Sequence, residues 1–509
     1  MSRTPRSPIP GWAFSNSYGA LPEKFFARLD PVPVASPRLI KFNEELAASL
    51  GLERGALDDA ALAAVFSGNL VPQGADPIAL AYAGHQFGQF VPQLGDGRAI
   101  LLGEVIDRSG VRRDVQFKGS GRTPYSRSGD GRAALGPVLR EYLVSESMHA
   151  LGIASTRSLA AVTTGEQVIR GMRLPGAIVT RIAASHVRVG TFEYFAARAD
   201  HDSVKILADY VIDRHYQGVE SAQHPYLELL RAVAQRQAAL VASWMQVGFI
   251  HGVMNTDNTS ISGETIDFGP CAFMDAYDPS AVFSSIDTGG RYAYSNQPAA
   301  AQWNLARFAE TLLPLIDADV NRAVEAATEV ISAFPQRFEE HWLSGMRRKL
   351  GLATEDPGDG ALIRAWLDVM HRNECDFTQT FRALSDVAPG VPSADAPAAV
   401  ALAGSKIRSL FARPDEFRAW EIEWRARLAR EPQNRGDIAR TMRAANPAFI
   451  PRNHRIEQLI VAAVEQADFI PFEQMLEVLS RPYEDQPGFE SFAEPPQASE
   501  RVLQTFCGT

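Results

Sequence analysis

The sequence predicts an α+β protein in which a β-rich first half precedes a mostly helical second half. Aliphatic and β-branched runs, separated by glycine-containing turns, fill residues 94–190. Helical stretches such as QRQAALVASWMQVGFI dominate residues 191–480. A chain of 509 residues is also too long for one small core and suits roughly two to four domains, or one large two-lobed unit.

The first elements lie in residues 1–93, which we expect to form an N-terminal extension packed on the lobes. Within it, apolar residues spaced by three and four in PRLIKFNEELAASLGL predict an amphipathic helix. LGDGRAILLGEVID and VRRDVQFKGSG then read as two strands around an RSG turn. A helix is predicted from Pro137 to Leu151, with proline in its first turn and Gly152 as its C-terminal cap.

The remaining elements complete the two halves. STRSLAAVTTGEQVIRG and GAIVTRIAASHVRVG predict further strands, and the segment TSIS-GE-TIDFG predicts a hairpin that follows the helix QRQAALVASWMQVGFI. VAPGVPSADAPAA is a predicted loop. Residues 481–509 are rich in Pro, Glu and Ser and predict a loosely held tail.

Composition restricts the possible functions. A net charge of −10 argues against nucleic acid as a partner. Three cysteines are too few for a disulfide framework, and they suit a reducing compartment. Neither a signal peptide nor an apolar run of about 18 residues is apparent. We therefore expect a cytoplasmic protein, monomeric and without a membrane span.

The most specific motif is HGVMNTDNTSISGETIDFG, residues 251–269. It follows the protein-kinase pattern H-R-D-x-x-x-x-N with a later D-F-G, in which the Asn and the last Asp hold a metal. Asn258 and Asp267 take these two positions, and their oxygens suit Mg²⁺. Val253 replaces the kinase base and cannot accept a proton. Asp257 is the nearest carboxylate in the loop and is the predicted base, acting from a different direction.

Upstream residues extend the likeness to a kinase. Gly95 and Gly97 would let backbone N–H groups approach a phosphate, although G-D-G is also an ordinary turn signal. Lys118 ends the strand VQFK, where kinases place a phosphate-binding lysine. Glu141 on the following helix is its predicted partner. The combination favours nucleotide binding over a plain turn.

Local charge points to the same kind of ligand. Residues 108–140 contain eight Lys or Arg against two Asp, in a chain that is acidic overall. Glycines interleaved with arginines in GSGRTPYSRSGDGR suit a loop that cradles an anion, although such a run is more often a solvated face. Arg181 and Arg188 on later strands are either further anion contacts or surface arginines.

The order of these features predicts a protein-kinase-like two-lobed fold. Residues 94–190 form its N-lobe, residues 191–480 its helical C-lobe and residues 481–509 a tail. Long strings of the sequence also resemble the selenoprotein O family, a kinase-like family of protein adenylyltransferases. These strings are YAGHQFGQFVPQLGDGRAILLGEV, DVQFKGSGRTPYSRSGDGRAALGPVLREYLVSESMHALGI, HGVMNTDN and IDFGP.

The resemblance implies an activity and a set of site residues. ATP would bind in an orientation flipped relative to kinases, and AMP would pass to a protein Ser, Thr or Tyr hydroxyl with Mg²⁺ or Mn²⁺ as cofactor. Asn258 and Asp267 match the metal ligands, Asp257 the proton acceptor and Glu141 the partner of Lys118. The positions that match nucleotide contacts are Gly95, Gly97, Arg98, Lys118, Asp130, Gly131, Arg181, Arg188 and Asp267.

Two matters stay open. Members of the family that the sequence resembles often carry selenocysteine or cysteine near the C-terminus, and Cys507 occupies such a place, where a thiol could form a regulatory disulfide. Neither Cys271 nor Cys375 can be assigned as its partner from the sequence, although Cys271 would be attractive because it would tie the tail to the metal loop; burial in an apolar site is the commoner fate of a lone cysteine. The alternatives to adenylyl transfer are a conventional phosphotransferase with Asp257 as base, and a nucleotide-binding scaffold without catalysis. Four retained positions, Lys118, Glu141, Asn258 and Asp267, speak against the scaffold.

Overall fold

A computed structural model describes most of the chain. It covers residues 4, 6–7, 12–52, 54–55, 57–388 and 406–506. A β-sheet region precedes a helical region, as the sequence predicts. Within these residues, no helix combines the length and the apolar character needed to cross a bilayer.

An eight-stranded antiparallel sheet forms the first part. The strands of the described chain are β1 (Arg6–Ser7), β2 (Phe26–Arg28), β3 (Arg38–Phe42), β4 (Val71–Pro72), β5 (Ile78–Leu80), β6 (Gly84–Gln86), β7 (Gln89–Val91), β8 (Ala99–Ile106), β9 (Arg112–Lys118), β10 (Ala133–Ala134), β11 (Arg157–Arg170), β12 (Met172–Ala183), β13 (Phe249–Ile250) and β14 (Ala272–Phe273). The strands of the eight-stranded sheet follow the order β2-β5-β8-β9-β12-β11-β3, and β10 pairs with β12. Three of them, β2, β3 and β5, come from the N-terminal residues.

The register of the central strands places polar side chains on one face. In the pairing of β9 with β12, Gln116 lies opposite Arg181 and Lys118 opposite Val179. Side chains two residues apart share a face of a strand, so Gln116, Lys118 and Arg181 point to the same side of the sheet. The β11–β12 hairpin turns at Gly171, whose φ of 76° is readily adopted by glycine.

Helices make up the second part of the structure. One further helix, Leu135–Ala150, lies in the first part and packs on the sheet; it confirms the predicted helix from Pro137 to Leu151. The helix Pro225–Gln246 confirms the one predicted before HGVMNTDN. The helices are α1 (Glu44–Ser49), α2 (Asp59–Phe66), α3 (Leu135–Ala150), α4 (Val189–Ala196), α5 (His201–His215), α6 (Pro225–Gln246), α7 (Gln297–Ile316), α8 (Val320–Ser332), α9 (Phe334–Lys349), α10 (Asp359–Arg372), α11 (Phe377–Val387), α12 (Pro414–Leu428), α13 (Arg435–Ala445), α14 (Asn453–Gln466), α15 (Ile470–Leu479) and α16 (Glu490–Ala493).

Two local predictions are wrong. The segment 37–52 is not one helix, because its first half pairs with β11 as β3. Asn43 then caps α1 by accepting a hydrogen bond from the Leu46 N–H. The hairpin expected around Gly263 does not form either. Its two arms pair elsewhere, since Ser260 bridges to Arg188 and Thr265 to Ser155.

The C-terminal tail is held more firmly than its composition predicts. Thr505 is buried, its N–H donates to Phe283 O at 2.7 Å, and its hydroxyl donates to Pro270 O at 2.5 Å. These bonds fix the end of the described chain beside the segment that follows Asp267. Cys507 and most of the predicted loop VAPGVPSADAPAA lie outside the described residues.

Candidate active site

An ion cluster lies where the sheet meets the helical part. Lys118 Nζ is 2.6 Å from Glu141 Oε2 and 2.7 Å from Asp267 Oδ1. Lys118 stands at the end of β9, Glu141 on α3 and Asp267 in the loop before β14. Asp267 has a φ of 65°, an unusual value for a residue with a side chain.

Two arginines complete the cluster. Arg181 Nη1 lies 2.7 Å from Asp267 Oδ1 and 3.3 Å from Glu141 Oε1, and Arg188 Nη1 lies 3.4 Å from Asp267 Oδ2. Although burial disfavours the charged carboxylate, Lys118 and both arginines hold the pKa of Asp267 well below its usual range. Three cations therefore face two carboxylates. Three buried cations in one place suit a ligand that brings phosphate oxygens.

Asp257 lies in the 3₁₀ turn Thr256–Asn258, next to this cluster. Arg188 joins the two, because its Nη1 also donates to the Asp257 backbone oxygen at 2.8 Å. Gln86 Nε2 donates to Asp257 Oδ2 at 3.2 Å, whereas Oδ1 is buried and has no hydrogen-bond partner among the described residues. Burial raises the pKa of Asp257 to about 6. A carboxylate with one unpartnered oxygen and a raised pKa can accept a proton near neutral pH.

A hairpin formed by β6 and β7 covers the Asp257 turn. The His85 N–H donates to Thr256 Oγ1 at 2.7 Å, and the Phe87 N–H donates to Asn255 Oδ1 at 3.0 Å. Gly84 allows the close approach, because a Cβ at this position would lie 2.8 Å from Asp257 Oδ1. The hairpin therefore sets the position of the candidate base.

The predicted glycine loop packs against the arginine-rich segment. Gly95 has a φ of 78°, and a Cβ there would lie 2.4 Å from the ring of Tyr125. A Cβ at Gly97 would lie 2.9 Å from Tyr125 O. Arg98 follows directly, and its carbonyl accepts from the Gly119 N–H at 2.7 Å. Packing thus requires glycine at positions 95 and 97. The loop lies beside β9, the strand that ends at Lys118.

Asp130 and Gly131 lie apart from the ion cluster. Asp130 forms a two-bond ion pair with Arg170, at 2.8 and 2.9 Å, which lowers its pKa to about 2. Gly131 has a φ of 71° and touches Gly121, whose N–H donates to its carbonyl at 3.0 Å. These two residues close the GSGRTPYSRSGDGR loop, and no described hydrogen bond joins either of them to the cluster.

The chemistry of Asn258 and Asp267 fits a divalent cation. Asn258 Nδ2 donates to Val253 O at 2.9 Å, which turns its side-chain oxygen away from Val253. An amide oxygen and a carboxylate are the hard donors that Mg²⁺ and Mn²⁺ take, with phosphate and water completing the shell. Among the described residues, no group of three or more His, Cys, Asp or Glu could hold a metal by itself.

The described cysteines are buried thiols. Cys271 and Cys375 are both fully buried, and burial raises their pKa values to about 11 and about 12. Thiols with such values are poor nucleophiles at neutral pH.

Sequence reasoning missed several polar residues of the site. Gln86 is one; Tyr82, whose ring centroid lies 4.5 Å from the Arg188 guanidinium carbon, is another. Asp96 is buried, accepts from Gln116 Nε2 at 3.1 Å, and has its pKa raised by burial to about 6. All three residues lie in YAGHQFGQFVPQLGDG, residues 82–97. Polar residues interrupt an otherwise apolar segment there, and this pattern could have indicated that the segment contributes to the site.

The fold and the site together suit the class of proteins that hold an anionic, phosphate-bearing ligand beside a carboxyl group. Comparison with known proteins narrows this class. The family model described as Protein adenylyltransferase SelO matches residues 10–480. The chain belongs to this family of protein adenylyltransferases.

Relatives named Protein nucleotidyltransferase YdiU match the chain over nearly its full length. The protein from Rhizobium johnstonii is 62% identical over 502 residues, covering 99% of this chain and 98% of the relative. Those from Rhizobium meliloti and Bradyrhizobium diazoefficiens are each 60% identical over 496 residues, covering 97% of this chain and 99% of the relative.

Proposed function

We propose that this protein transfers AMP from ATP to Ser, Thr or Tyr hydroxyls of other proteins, with release of pyrophosphate. The observation that carries the proposal is the position of Asp257. It presents a buried carboxylate oxygen, without a hydrogen-bond partner among the described residues, beside the buried cations Lys118, Arg181 and Arg188, whereas the ordinary kinase position for a base holds Val253. Family membership supports the same reaction.

The reaction follows from these groups. Asp257 accepts the proton of the acceptor hydroxyl, and the oxygen attacks the α-phosphorus of ATP. A new O–P bond forms, the bond between the α-phosphorus and the bridging oxygen breaks, and pyrophosphate leaves with the bonding electrons. Lys118, Arg181 and Arg188 neutralise the charge that gathers on the phosphate oxygens.

The remaining site residues position the nucleotide. Gly95, Gly97 and Arg98 in the glycine loop, and Asp130 and Gly131 in the arginine-rich loop, would contact the nucleotide. Asn258 and Asp267 would hold Mg²⁺ or Mn²⁺, which when bound supplies further charge neutralisation on phosphate oxygens. Glu141 keeps Lys118 aimed at the site.

The proposal includes the architecture and setting of the enzyme. The antiparallel sheet and the helical region suit a kinase-like two-lobed fold, with an N-terminal extension of residues 1–93 that adds three strands to the sheet, lobes at 94–190 and 191–480, and a tail at 481–509. Acidic composition and three cysteines suit a monomer that works in the cytoplasm.

One experiment tests the reaction. The purified protein is incubated with a heat-inactivated protein extract as acceptor, Mg²⁺ or Mn²⁺, and ATP labelled on either the α- or the γ-phosphate. We expect protein-bound label only from the α-labelled nucleotide, and loss of that label in Asp257→Asn and Asp267→Ala. Label from the γ-phosphate would instead show a conventional phosphotransferase, and absence of both would favour a binding scaffold. Glu325→Ala on exposed α8 serves as the matched control and should label as the parent protein does.

A further inference from the structure

A large groove lies against α3, the helix that carries Glu141. Its volume is about 1120 Å³. One wall is the stretch of α3 with Tyr142, Glu146 and His149; the others are the β3–α1 junction and helix α15. None of the site residues described above lines it, so it is separate from the ion cluster.

The groove is strongly acidic. Its lining contains two permanently cationic side chains, Lys41 and Arg157, against six carboxylates: Glu44, Glu45, Glu146, Asp468, Glu473 and Glu477. Both cations are already paired within the groove, Lys41 with Glu473 and Arg157 with Glu146 at 2.7 Å. In the described chain, no basic side chain pairs with Glu45, Asp468 or Glu477. A net negative potential therefore remains to be neutralised by a partner.

Apolar side chains line the same groove. Tyr142 and Leu479 are buried in its floor, while Ile470 is 65% exposed at its edge. Tyr142 packs edge-on against Phe472 with ring centroids 5.7 Å apart, which fixes α15 against α3. The groove therefore combines an apolar floor and edge with a charged rim, as protein interfaces do.

We propose that this groove binds a segment of a partner protein in which Lys or Arg residues flank a bulky apolar side chain. The carboxylates of the groove require a positively charged segment. Ile470 and the apolar floor provide a contact for a bulky apolar side chain of that segment. The volume exceeds what an inorganic ion fills, and the negative lining repels nucleic acid.

Binding is measured by fluorescence anisotropy on the full-length protein, without nucleotide. The probes are three short fluorescein-labelled peptides that alternate Lys with Leu, Glu with Leu, and Lys with Ser. We expect saturable binding of the Lys–Leu peptide only, weakened by added salt. Glu45→Lys with Glu477→Lys should weaken that binding about tenfold, as reversal of two exposed charges does. Ile470→Ala should weaken it severalfold.

Matched controls lie elsewhere on the surface. Glu325→Lys with Glu329→Lys reverses two exposed charges on α8, and Ile422→Ala removes an isoleucine that is 66% exposed on α12. Both should bind the Lys–Leu peptide as the parent does. Equal weakening by the groove and control variants, or equal binding of the Glu–Leu peptide, would overturn the proposal. Thermal unfolding of each variant separates lost binding from lost folding, and none of these readouts depends on nucleotide transfer.

Discussion

Gly84→Ala tests the position of the candidate base by a single methyl group. The added Cβ would stand 2.8 Å from Asp257 Oδ1, 2.9 Å from its Cβ and 3.2 Å from its Cγ. Ordinary contacts between such atoms lie near 3.4 Å or beyond, so Asp257 or the β6–β7 hairpin must shift by about half an ångström. Misplacing a reacting group by about 1 Å costs on the order of a hundredfold in rate. We therefore expect kcat to fall about tenfold to a hundredfold.

The assay is transfer of α-labelled phosphate from ATP to acceptor protein at saturating ATP. The affinity for ATP should change little, because Lys118, Arg181 and Asp267 do not touch the added methyl group. The free energy of unfolding should fall by about 1–3 kcal/mol, the usual cost of overpacking. Urea unfolding measures this cost separately from the rate.

Gly289→Ala is the matched control for this substitution. A Cβ at Gly289 meets no heavy atom within 4 Å, and its φ is not in the left-handed region, so kcat and stability should stay at parent values. An unchanged kcat in Gly84→Ala, despite a measurable loss of stability, would refute the assignment of Asp257 as the base. The rate would then not depend on where this carboxylate lies.

Three further predictions concern other parts of the molecule. Gln86→Leu removes a hydrogen bond to Asp257 and should lower kcat about tenfold with ATP affinity retained, whereas Gln89→Leu on the exposed arm of the same hairpin should not. Burial lowers the pKa of His186 to about 4, below an unfolded value of about 6.5. The contribution of this histidine to the free energy of unfolding is therefore full above pH 6.5 and is lost as the pH falls towards 4. In urea titrations at several pH values, His186→Asn should reduce the loss of stability between pH 6.5 and 4 by about 3 kcal/mol. Burial also lowers the pKa of Lys349 to about 7, so the free energy of unfolding of the parent rises as the pH rises from 7 to about 10. Lys349→Met should increase the free energy of unfolding in urea by about 1–3 kcal/mol, and that free energy should not rise further between pH 7 and 10.

Local sequence patterns correctly predicted those strands and helices whose conformation depends mainly on their own residues. The strands on either side of the RSG turn and the extent of α3 follow from alternation, a first-turn proline and a capping glycine. The pairing of Lys118 with Glu141 could also be anticipated, because the strand and the helix follow each other in the chain. The contact of Arg181 with Asp267 could not, since it depends on how β12 registers against β9 and on a loop 86 residues later.

The wrong helix at 37–52 has a related cause. RLIKF satisfies a helical spacing as well as a strand, and only the distant β11 decides between them by offering its free edge. The β6–β7 hairpin was missed because GHQFGQF lacks alternating apolar residues, and its turn places Phe87 at a φ of 51°, where glycine is usual. Such a turn is fixed by its contacts with Asn255 and Thr256 rather than by its own sequence.

Val253 shows how the loop can dispense with a base at the kinase position. The Val253 side chain is buried, and the polar contacts of this residue come from its backbone. Its carbonyl accepts a hydrogen bond from Asn258 Nδ2, and its N–H donates to His251 Nδ1 at 3.4 Å. Asp257 instead receives a hydrogen bond from Gln86 in a segment that precedes the central strands, so the N-terminal residues contribute to the candidate site as well as to the sheet.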